Sequence, residues 1–243
     1  MTRIGIITQA RMTSSRLPGK VLLPAGDSTM LDHHLDRLED AGLPIVLATT
    51  INDTDDPIVD LANRRKVSVF RGSEKDVLSR FVGAAEAFEF DAIVRVTSDC
   101  PLIDPALIIR GVQAFCDRND PWLYVSNALT RTYPRGMDFE VFSRRALQLA
   151  NNKATATYQR EHVTPFFYQM GDPRIRLENI AGSSDMSAYR VTLDTPEDYA
   201  LLKRLIEDYE GEALTVEGIV SVLAAHPDLA SINRHVEQKK LGE

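Results

Sequence analysis

The chain has 243 residues, 44% of them hydrophobic and 26% charged, which is enough apolar material for one large globular domain. Its formal net charge of −7 argues against a general nucleic-acid-binding or membrane-surface protein. No apolar run reaches the length of about eighteen residues that a transmembrane helix needs, and the first predicted strand leaves no room for a signal peptide. Cys100 and Cys116 lack metal-ligand spacing and have no histidine beside them, so we expect reduced, non-nucleophilic thiols in a cytoplasmic protein.

Strands and helices alternate in the first half of the chain. Short apolar runs typical of buried strands lie at residues 3–8, 44–49, 67–70 and 91–97. Between them the pattern predicts helices from Ser28/Thr29 to Gly42, over 57–65, and from Asp76 to Phe88. Because the strands are almost continuously apolar, the alternation predicts an α/β fold, with a mostly parallel sheet covered by helices on both faces.

The second half of the chain is less regular. Its predicted helices lie at 105–118, 143–150, 155–169, 196–209 and 215–225, and its predicted strands at 122–126, 137–142, 174–180 and 189–193. Alternating apolar and polar residues at 174–180 favour an antiparallel strand. Four histidines are expected on the surface: His33, His34, His226 and His235.

We predict a single domain over residues 1–243. Its core would comprise 1–125 and 185–225, and a small α+β insertion would occupy about 126–184. A polar tail would follow at 226–243, with Lys239 and Lys240 loosely ordered.

The first strand runs into a basic loop, which we define as residues 9–20. Small residues and a Pro-Gly pair indicate a loop, and it carries three cations, Arg11, Arg16 and Lys20. Such a loop can hold a polyphosphate, because backbone N–H groups approach the anion and the cations neutralise its charge. An ordinary solvated loop is the alternative, since neither the P-loop nor the dinucleotide-binding motif is present.

Polar segments also follow the other three strands of the first half. Thr49-Thr50, Arg71-Gly72-Ser73 and Ser98-Asp99 all stand at predicted carboxyl ends. Ligands of parallel α/β sheets bind outside this edge, so we expect these segments to meet the basic loop there. The small groups of Thr49, Thr50, Gly72 and Ser73 could read a pyrimidine edge, although ordinary strand-end turns explain them equally well.

Two acids are candidates for a metal site. Asp99 follows the fourth predicted strand. Asp194 stands at the end of a later apolar run, residues 191–193. Asp104 before Pro105 is the better-placed helix cap, as is Thr195 before the last long helix. The usual Mg2+ site combines one or two carboxylates with substrate phosphates, so we predict that Asp99 and Asp194 share a Mg2+ ion. The alternative for Asp99 is a role in capping the next helix.

The segment Tyr133-Pro134-Arg135-Gly136-Met137-Asp138-Phe139-Glu140 is the best candidate for an acceptor pocket. Asp138 and Glu140 would lie on one side of a strand, where they could bind hydroxyls or an amine, or help to deprotonate an attacking hydroxyl. Arg80 and Arg135 could pair with a carboxylate or phosphate. Arg160-Glu161-His162 could close the pocket. The alternative is an exposed, charged strand and helix.

Four of these motifs, in chain order, resemble a known family. Ala10-Arg11 followed by Ser15-Arg16-Leu17-Pro18-Gly19-Lys20 resembles the N-terminal signature of CTP-dependent cytidylyltransferases that make CMP-activated sugar acids, such as the CMP-KDO and CMP-sialic acid synthetases. Asp99 and the run 194–198 resemble the two metal sites of that family. The run 133–140 and the segment 161–164 look like its spore-coat polysaccharide branch, which implies that the acceptor is not KDO itself.

The resemblance also implies roles for particular residues and a fold, the Rossmann-like nucleotide-diphospho-sugar transferase fold. The residues it marks as catalytic are Arg11, Lys20, Asp99 and Asp194. Those it marks for CTP binding are Ala10, Arg11, Ser15, Arg16, Lys20, Thr49, Thr50, Gly72 and Ser73, with Thr50 at a position where KDO enzymes carry an acid. Those it marks for the acceptor are Arg80, Tyr133, Arg135, Asp138, Glu140, Arg160 and His162.

The resemblance implies transfer of CMP from CTP to a nonulosonic or other ulosonic acid, with release of pyrophosphate, by a Mg2+-dependent enzyme, and it is compatible with a homodimer. The product would serve the biosynthesis of a surface polysaccharide or lipopolysaccharide. One alternative is a phosphorylated acceptor, a sugar- or alditol-phosphate, that gives a CDP-linked product. A second is a non-catalytic nucleotide-binding regulatory protein, against which the presence of two metal carboxylates argues.

Overall fold

The first half of the chain forms the alternating strands and helices that its sequence predicts. The computed structural model describes residues 2–169 and 172–238. Its elements to residue 97 are β1 (Ile4–Gln9), a 3-10 turn (Lys20–Leu22), β2 (Pro24–Ala25), β3 (Ser28–Thr29), α1 (Met30–Glu39), β4 (Ile45–Thr50), a 3-10 turn (Asp53–Asp55), α2 (Asp56–Arg64), β5 (Ser68–Gly72), α3 (Val77–Ala87) and β6 (Ala92–Thr97).

The second half adds three strands and seven helices among the described residues. They are α4 (Pro105–Arg118), β7 (Leu123–Ser126), β8 (Glu140–Ser143), α5 (Arg144–Lys153), α6 (Thr157–His162), α7 (Pro165–Gln169), β9 (Arg176–Asn179), α8 (Pro196–Tyr209), a 3-10 turn (Gly211–Ala213), α9 (Val216–Ala225) and α10 (Pro227–Ser231). No helix within 2–169 or 172–238 is long and apolar enough to cross a membrane.

One seven-stranded sheet organises the molecule, in the order β5-β4-β1-β6-β8-β7-β9. The strands β5, β4, β1 and β6 are mutually parallel, whereas β8 runs antiparallel to both β6 and β7. Side chains of β1 alternate between two apolar clusters: Ile6 belongs to one with residues of α4, α8 and α9, and Ile7 belongs to one with residues of α3, α5 and α7. The predicted α/β class, a mostly parallel sheet with helices on both faces, is confirmed.

The helix caps form where the sequence places them. The side chain of Asp104 accepts a hydrogen bond from the backbone N–H of Ala106, and that of Thr195 accepts one from Asp198. These bonds satisfy donors that have no partner inside the helix. The capping of these two helices therefore does not depend on Asp99 or Asp194.

The prediction of one helix over 155–169 is wrong, because α6 ends at His162 and α7 begins at Pro165. Proline has no backbone N–H and fits the first turn of a helix rather than its interior. Val163 between them has a positive φ of 70° and is fully buried. Burial of this side chain holds a backbone conformation that a valine alone would avoid.

The predicted direction of strand 174–180 is also wrong, since β9 is parallel to β7. Alternation indicates which residues share a face of a strand and does not determine the direction of the strand. The apolar face that it predicts is also not fully buried, since Leu177 is 49% exposed. The predicted strand 189–193 is reduced to a single bridge between Arg190 and Arg135. Both β8 and β9, from the predicted insertion, join the main sheet, and the division into core and insertion stays a prediction. Lys239 and Lys240 lie outside the described residues.

Two histidines predicted at the surface are buried in α1. Nε2 of His33 lies 3.0 Å from the carbonyl oxygen of Ala25. Nδ1 of His34 lies 2.9 Å from the carbonyl oxygen of Cys100, and its Nε2 lies 2.8 Å from Oγ1 of Thr8. A carbonyl only accepts, so Nδ1 of His34 donates and Nε2 accepts from the Thr8 hydroxyl. These partners come from distant parts of the chain, which the pattern of α1 alone does not show.

Protonation of His34 is expected to destabilise the fold. Burial lowers its pKa from 6.5 to about 4, because the neutral ring is the form that fits between Thr8 and Cys100. A depressed pKa means that the unfolded chain binds the proton first, so stability is complete above pH 6.5 and is lost as the pH falls toward about 4. The loss should reach about 3 kcal/mol. Urea unfolding of the native protein and of His34→Gln across this range measures it.

The difference in unfolding free energy between the native protein and His34→Gln separates the titration of His34 from that of the carboxylates, which titrate in a similar pH range. His34→Gln should show a flatter dependence of unfolding free energy on pH, whereas His235→Gln, at an exposed histidine, should keep the native slope. Equal slopes for His34→Gln and the native protein would contradict the assignment.

Candidate active site

The basic loop is held at the carboxyl ends of β1 and β4. Gly19 adopts a left-handed conformation, with φ of +67°, and its N–H donates to the carbonyl of Met12 at 2.8 Å. The N–H of Met12 donates to Oδ1 of Asp55 at 2.7 Å, and the hydroxyl of Thr13 donates to Oε1 of Glu74 at 2.6 Å. Bonds at both its start and its end thus fix the course of the loop.

The two predicted metal acids lie side by side. The carbonyl oxygen of Asp99 accepts from the N–H of Leu193 at 2.8 Å and from the hydroxyl of Thr192 at 3.0 Å. Nζ of Lys20 then contacts both carboxylates, at 2.9 Å from Oδ1 of Asp194 and 3.6 Å from Oδ2 of Asp99. The cation of the basic loop and both acids therefore meet at one point.

The charges of Lys20 and Asp194 stabilise each other. Burial alone would lower the pKa of Lys20, but the adjacent Asp99 and Asp194 raise it. Burial alone would raise the pKa of Asp194, but Lys20, Arg16 and Arg190 lower it. At neutral pH Lys20 is therefore protonated and Asp194 is ionised.

A cavity of about 720 Å³ opens outside the carboxyl ends of β1 and β6. The predicted residues in its wall are Ala10, Arg11, Ser15, Arg16, Lys20, Arg80, Asp99, His162 and Asp194. Arg80 is almost fully buried, and its pKa is lowered to about 10 by burial and by the nearby Arg11. Its Nε has no hydrogen-bond partner among the described residues. An anion in this cavity would favour the charged form of the Arg80 guanidinium.

A second cavity, of about 280 Å³, adjoins the first. The predicted residues in its wall are Asp99, Arg135, Asp138, Glu140, His162 and Asp194. Asp99 and Asp194 belong to both walls, as do Arg95 and Thr97. The two acids thus stand at the boundary between the cavities.

Four residues predicted to read a base lie outside both walls. The hydroxyls of Thr49 and Thr50 are fully buried and donate to Oδ2 of Asp55 at 3.1 and 2.5 Å. Gly72 pairs with Thr50 in the sheet, and the carbonyl of Ser73 accepts from Nη1 of Arg80 at 2.9 Å. The hydroxyls of Thr49 and Thr50 are therefore used within the protein, and a base-reading role for the four residues stays a prediction.

Three predicted acceptor residues are placed elsewhere. Tyr133 is buried, with its hydroxyl accepting from Nη1 of Arg110 at 3.0 Å. Arg160 donates to both oxygens of Asp76, at 2.9 and 2.6 Å, and so fastens α6 to the start of α3. Arg80 stands in the larger cavity rather than in the smaller one. The first two are structural contacts, which a sequence pattern cannot separate from ligand contacts.

Two arginines of the site escaped the sequence reasoning. Arg95 lies in both cavity walls, and its Nη1 donates to Oε2 of Glu140 at 2.5 Å. Arg131 lies in the smaller cavity and pairs with Oδ1 of Asp138 at 2.5 Å. A charged residue in the apolar run of β6 is the signal that could have identified Arg95, because such a charge must find a partner.

The donor set suits a hard divalent cation. Among the described residues no group of three or more acidic, histidine or cysteine side chains could hold a metal ion, whereas Asp99 and Asp194 form a pair of carboxylates that contact the same lysine. Two carboxylates that leave room for phosphate oxygens match the way Mg2+ is usually bound. Cys100 is buried, and burial raises the pKa of its thiol well above the ordinary value, so it is not a nucleophile.

A parallel sheet that carries a cationic loop, two adjoining acids and two cavities at its carboxyl edge defines an α/β nucleotidyltransferase. Residues 4–223 match the sequence profile of the family described as Cytidylyltransferase, so the chain belongs to the cytidylyltransferase family. The predicted resemblance is confirmed. The chain is a CTP-utilising nucleotidyltransferase with a Rossmann-like fold, and not a non-catalytic binding protein.

Three similar proteins extend over almost the whole chain. An uncharacterized protein of Methanocaldococcus jannaschii is 37% identical, with 100% of this chain and 99% of that protein covered. The spore coat polysaccharide biosynthesis protein SpsF of Bacillus subtilis is 34% identical, with 95% and 98% covered. The solved structure of a cytidylyltransferase from Leptospira borgpetersenii serovar Hardjo-bovis is 33% identical, with a TM-score of 0.91 and coverage of 99% and 100%.

Proposed function

We propose that this enzyme transfers CMP from CTP to a sugar acid, with release of pyrophosphate, for the synthesis of a surface polysaccharide. One observation carries the proposal: Asp99 and Asp194 stand where a large cationic cavity meets a smaller one. In the transfer of a nucleotidyl group, the attacking oxygen of the acceptor and the leaving pyrophosphate lie on opposite sides of the α-phosphorus. Two cavities with the acids at their boundary provide that arrangement.

The larger cavity is assigned to CTP. Arg11, Arg16, Lys20 and Arg80 line it, and phosphate oxygens would accept charge-assisted hydrogen bonds from these cations. Among the described residues, the ion-pair partner of Arg11 is a distant one, Oε1 of Glu74 at 3.6 Å. Neutralising the β- and γ-phosphates also stabilises the pyrophosphate that leaves.

Asp99 and Asp194 would hold Mg2+ together with phosphate oxygens, and such an ion stabilises negative charge that develops at the reacting phosphate. The acceptor hydroxyl attacks the α-phosphorus, a new P–O bond forms, and the bond to the bridging oxygen of pyrophosphate breaks. Asp138 is the proposed base for the hydroxyl proton. Glu140 is less suited, because Arg95, Tyr124 and Thr164 all donate to its carboxylate.

The smaller cavity is assigned to an anionic acceptor. Arg135 is half-buried there, and no described residue forms an ion pair with its guanidinium. Burial and the neighbouring Arg131 lower the pKa of Arg135, so a carboxylate on the acceptor would relieve an unfavourable charge. The name of the Bacillus subtilis relative supports a role in polysaccharide synthesis. The predicted homodimer and cytoplasmic location stay predictions.

A phosphorylated acceptor is the second candidate, since Arg131 and Arg135 together also suit a phosphate. Pyrophosphate release distinguishes the two when CTP and Mg2+ are supplied with a panel of ulosonic acids and of sugar- and alditol-phosphates. We expect release with a sugar acid and a CMP-linked product. Release with phosphorylated acceptors alone would replace the sugar acid by a sugar phosphate. A consistent preference for another nucleotide, or no release with any acceptor, would contradict the proposal.

Arg135→Met is expected to raise the KM for the acceptor about 10- to 100-fold and to leave the KM for CTP nearly unchanged. The reason is the loss of a charge-assisted hydrogen bond, which contributes about 1.5–3 kcal/mol. Initial rates at varied acceptor and fixed CTP, and the reverse, separate the two constants. Arg64→Met, at an exposed arginine of α2, is the matched control. A rise of equal size in both constants would remove Arg135 from the acceptor site.

A further inference from the structure

The last described part of the chain reaches the active site. Asn233 follows α10 and is 3% exposed. Its Nδ2 donates to Oδ1 of Asp198 at 2.8 Å and to the carbonyl of Arg190 at 3.1 Å. Gln238 lies in the walls of both cavities, and its Oε1 accepts from Nη1 of Arg190 at 2.7 Å. Residues that the sequence marks only as a polar tail therefore contact the group that surrounds Asp194.

Arg190 joins these residues to Asp194. Its Nε and Nη2 donate to the two carboxylate oxygens of Asp198, both at 2.8 Å. Nη2 makes a further bond of 3.1 Å to Oδ2 of Asp194. A guanidinium held by a bidentate pair has a fixed plane, so the orientation of Asp194 is fixed from that side.

Asp198 holds the same acid through the backbone. It is fully buried, and its Oδ2 accepts from the N–H of Asp194 at 3.1 Å and from that of Thr195 at 3.2 Å. Asn233 donates to the other oxygen, Oδ1. A neutral amide gives Asp198 a further partner without adding another charge to a buried cluster of one arginine and two acids.

We propose that Arg190, Asn233 and Gln238 are positioning residues, which hold the Asp194 carboxylate where it can share a divalent cation with Asp99: Arg190 contacts it directly, Asn233 acts through Asp198, and Gln238 acts through Arg190. The C-terminal segment 226–238 is then part of the active site. This inference rests on the metal role given to Asp194 under the proposed function. Partners that orient metal ligands affect metal affinity about 10- to 100-fold.

Binding of Mn2+, as a spectroscopic substitute for Mg2+, tests the inference without turnover. Free Mn2+ is measured by electron paramagnetic resonance with the full-length protein and a non-hydrolysable CTP analogue. Asn233→Ala is expected to raise the dissociation constant of Mn2+ about tenfold or more. Gln238→Ala, at an exposed residue outside the core, should raise it less, and Asn63→Ala, at an exposed asparagine of α2, should leave it unchanged.

The outcomes separate the inference from the function on which it rests. If the native protein binds Mn2+, Asp194→Asn loses it, and folded Asn233→Ala and Gln238→Ala both retain native affinity, the positioning role is wrong while the metal role stands. If Asn233→Ala does not fold, native affinity in Gln238→Ala alone overturns the role. If the native protein shows no Mn2+ binding that depends on Asp194, both the inference and the metal role fail.

Discussion

Asp99→Asn and Asp194→Asn are each expected to lower kcat at least about 10³-fold while the protein remains folded. Asparagine keeps the shape of the side chain but removes the negative charge that a divalent cation needs. A metal ion contributes several kcal/mol of transition-state stabilisation, and a loss of about 4 kcal/mol corresponds to this factor. The expected result follows from the position of both acids at the boundary between the cavities.

Pyrophosphate release at saturating CTP, acceptor and Mg2+ measures the effect, with circular dichroism and thermal melting as tests of folding. Asp60→Asn, at an exposed acid of α2, controls for the loss of one charge from the molecule. Arg190 keeps its bidentate partner Asp198 when Asp194 is replaced, so we expect Asp194→Asn to fold. Turnover near the native rate in either variant, at unchanged Mg2+ requirement, would remove that acid from the metal site.

The first half of the fold follows from local patterns in the sequence. Runs such as 44–49 and 91–97 are almost continuously apolar, which is typical of strands covered by helices on both sides. The second half depends on contacts that no local pattern reports. Burial of Val163 permits the break between α6 and α7, and the pairing of β9 with β7 sets the direction of that strand.

The site also contains some residues that local patterns indicate and others whose roles depend on contacts with distant parts of the chain. The sequence could single out Asp99 and Asp194 as candidates because Asp104 and Thr195 account for the neighbouring caps, and the structure places the two acids beside the same lysine. Thr49 and Thr50 could not be assigned correctly, because Asp55 takes their hydroxyls, and that contact exists only once the turn after β4 has formed. The contact between the C-terminal segment and Arg190 joins residues that are still farther apart in the sequence. A sequence can point to a functional residue when no local structural role, such as a helix cap, accounts for that residue.

Lys20→Met is expected to raise the KM for CTP about 10- to 100-fold. Its ammonium is the cation closest to both acids, at 2.9 Å from Asp194 and 3.6 Å from Asp99, and it lies in the wall of the larger cavity. Triphosphate oxygens would gain a charge-assisted bond from it, and such a bond contributes about 1.5–3 kcal/mol. Arg16→Met should act in the same direction but less, since its side chain is 33% exposed and better screened by solvent.

Initial rates at varied CTP measure this effect, and the KM for the acceptor should stay near the native value. Lys203→Met on α8 is the matched control, because its 3.8 Å pair with Glu207 is exposed and contributes little. Lys20→Met also leaves two neighbouring carboxylates without the ammonium between them, so its melting temperature should fall and Mg2+ should partly restore it. An unchanged KM for CTP would make the basic loop an ordinary surface loop. A fall in melting temperature that Mg2+ does not reverse would place the acids outside a metal site, because a cation that binds between them must replace the lost positive charge.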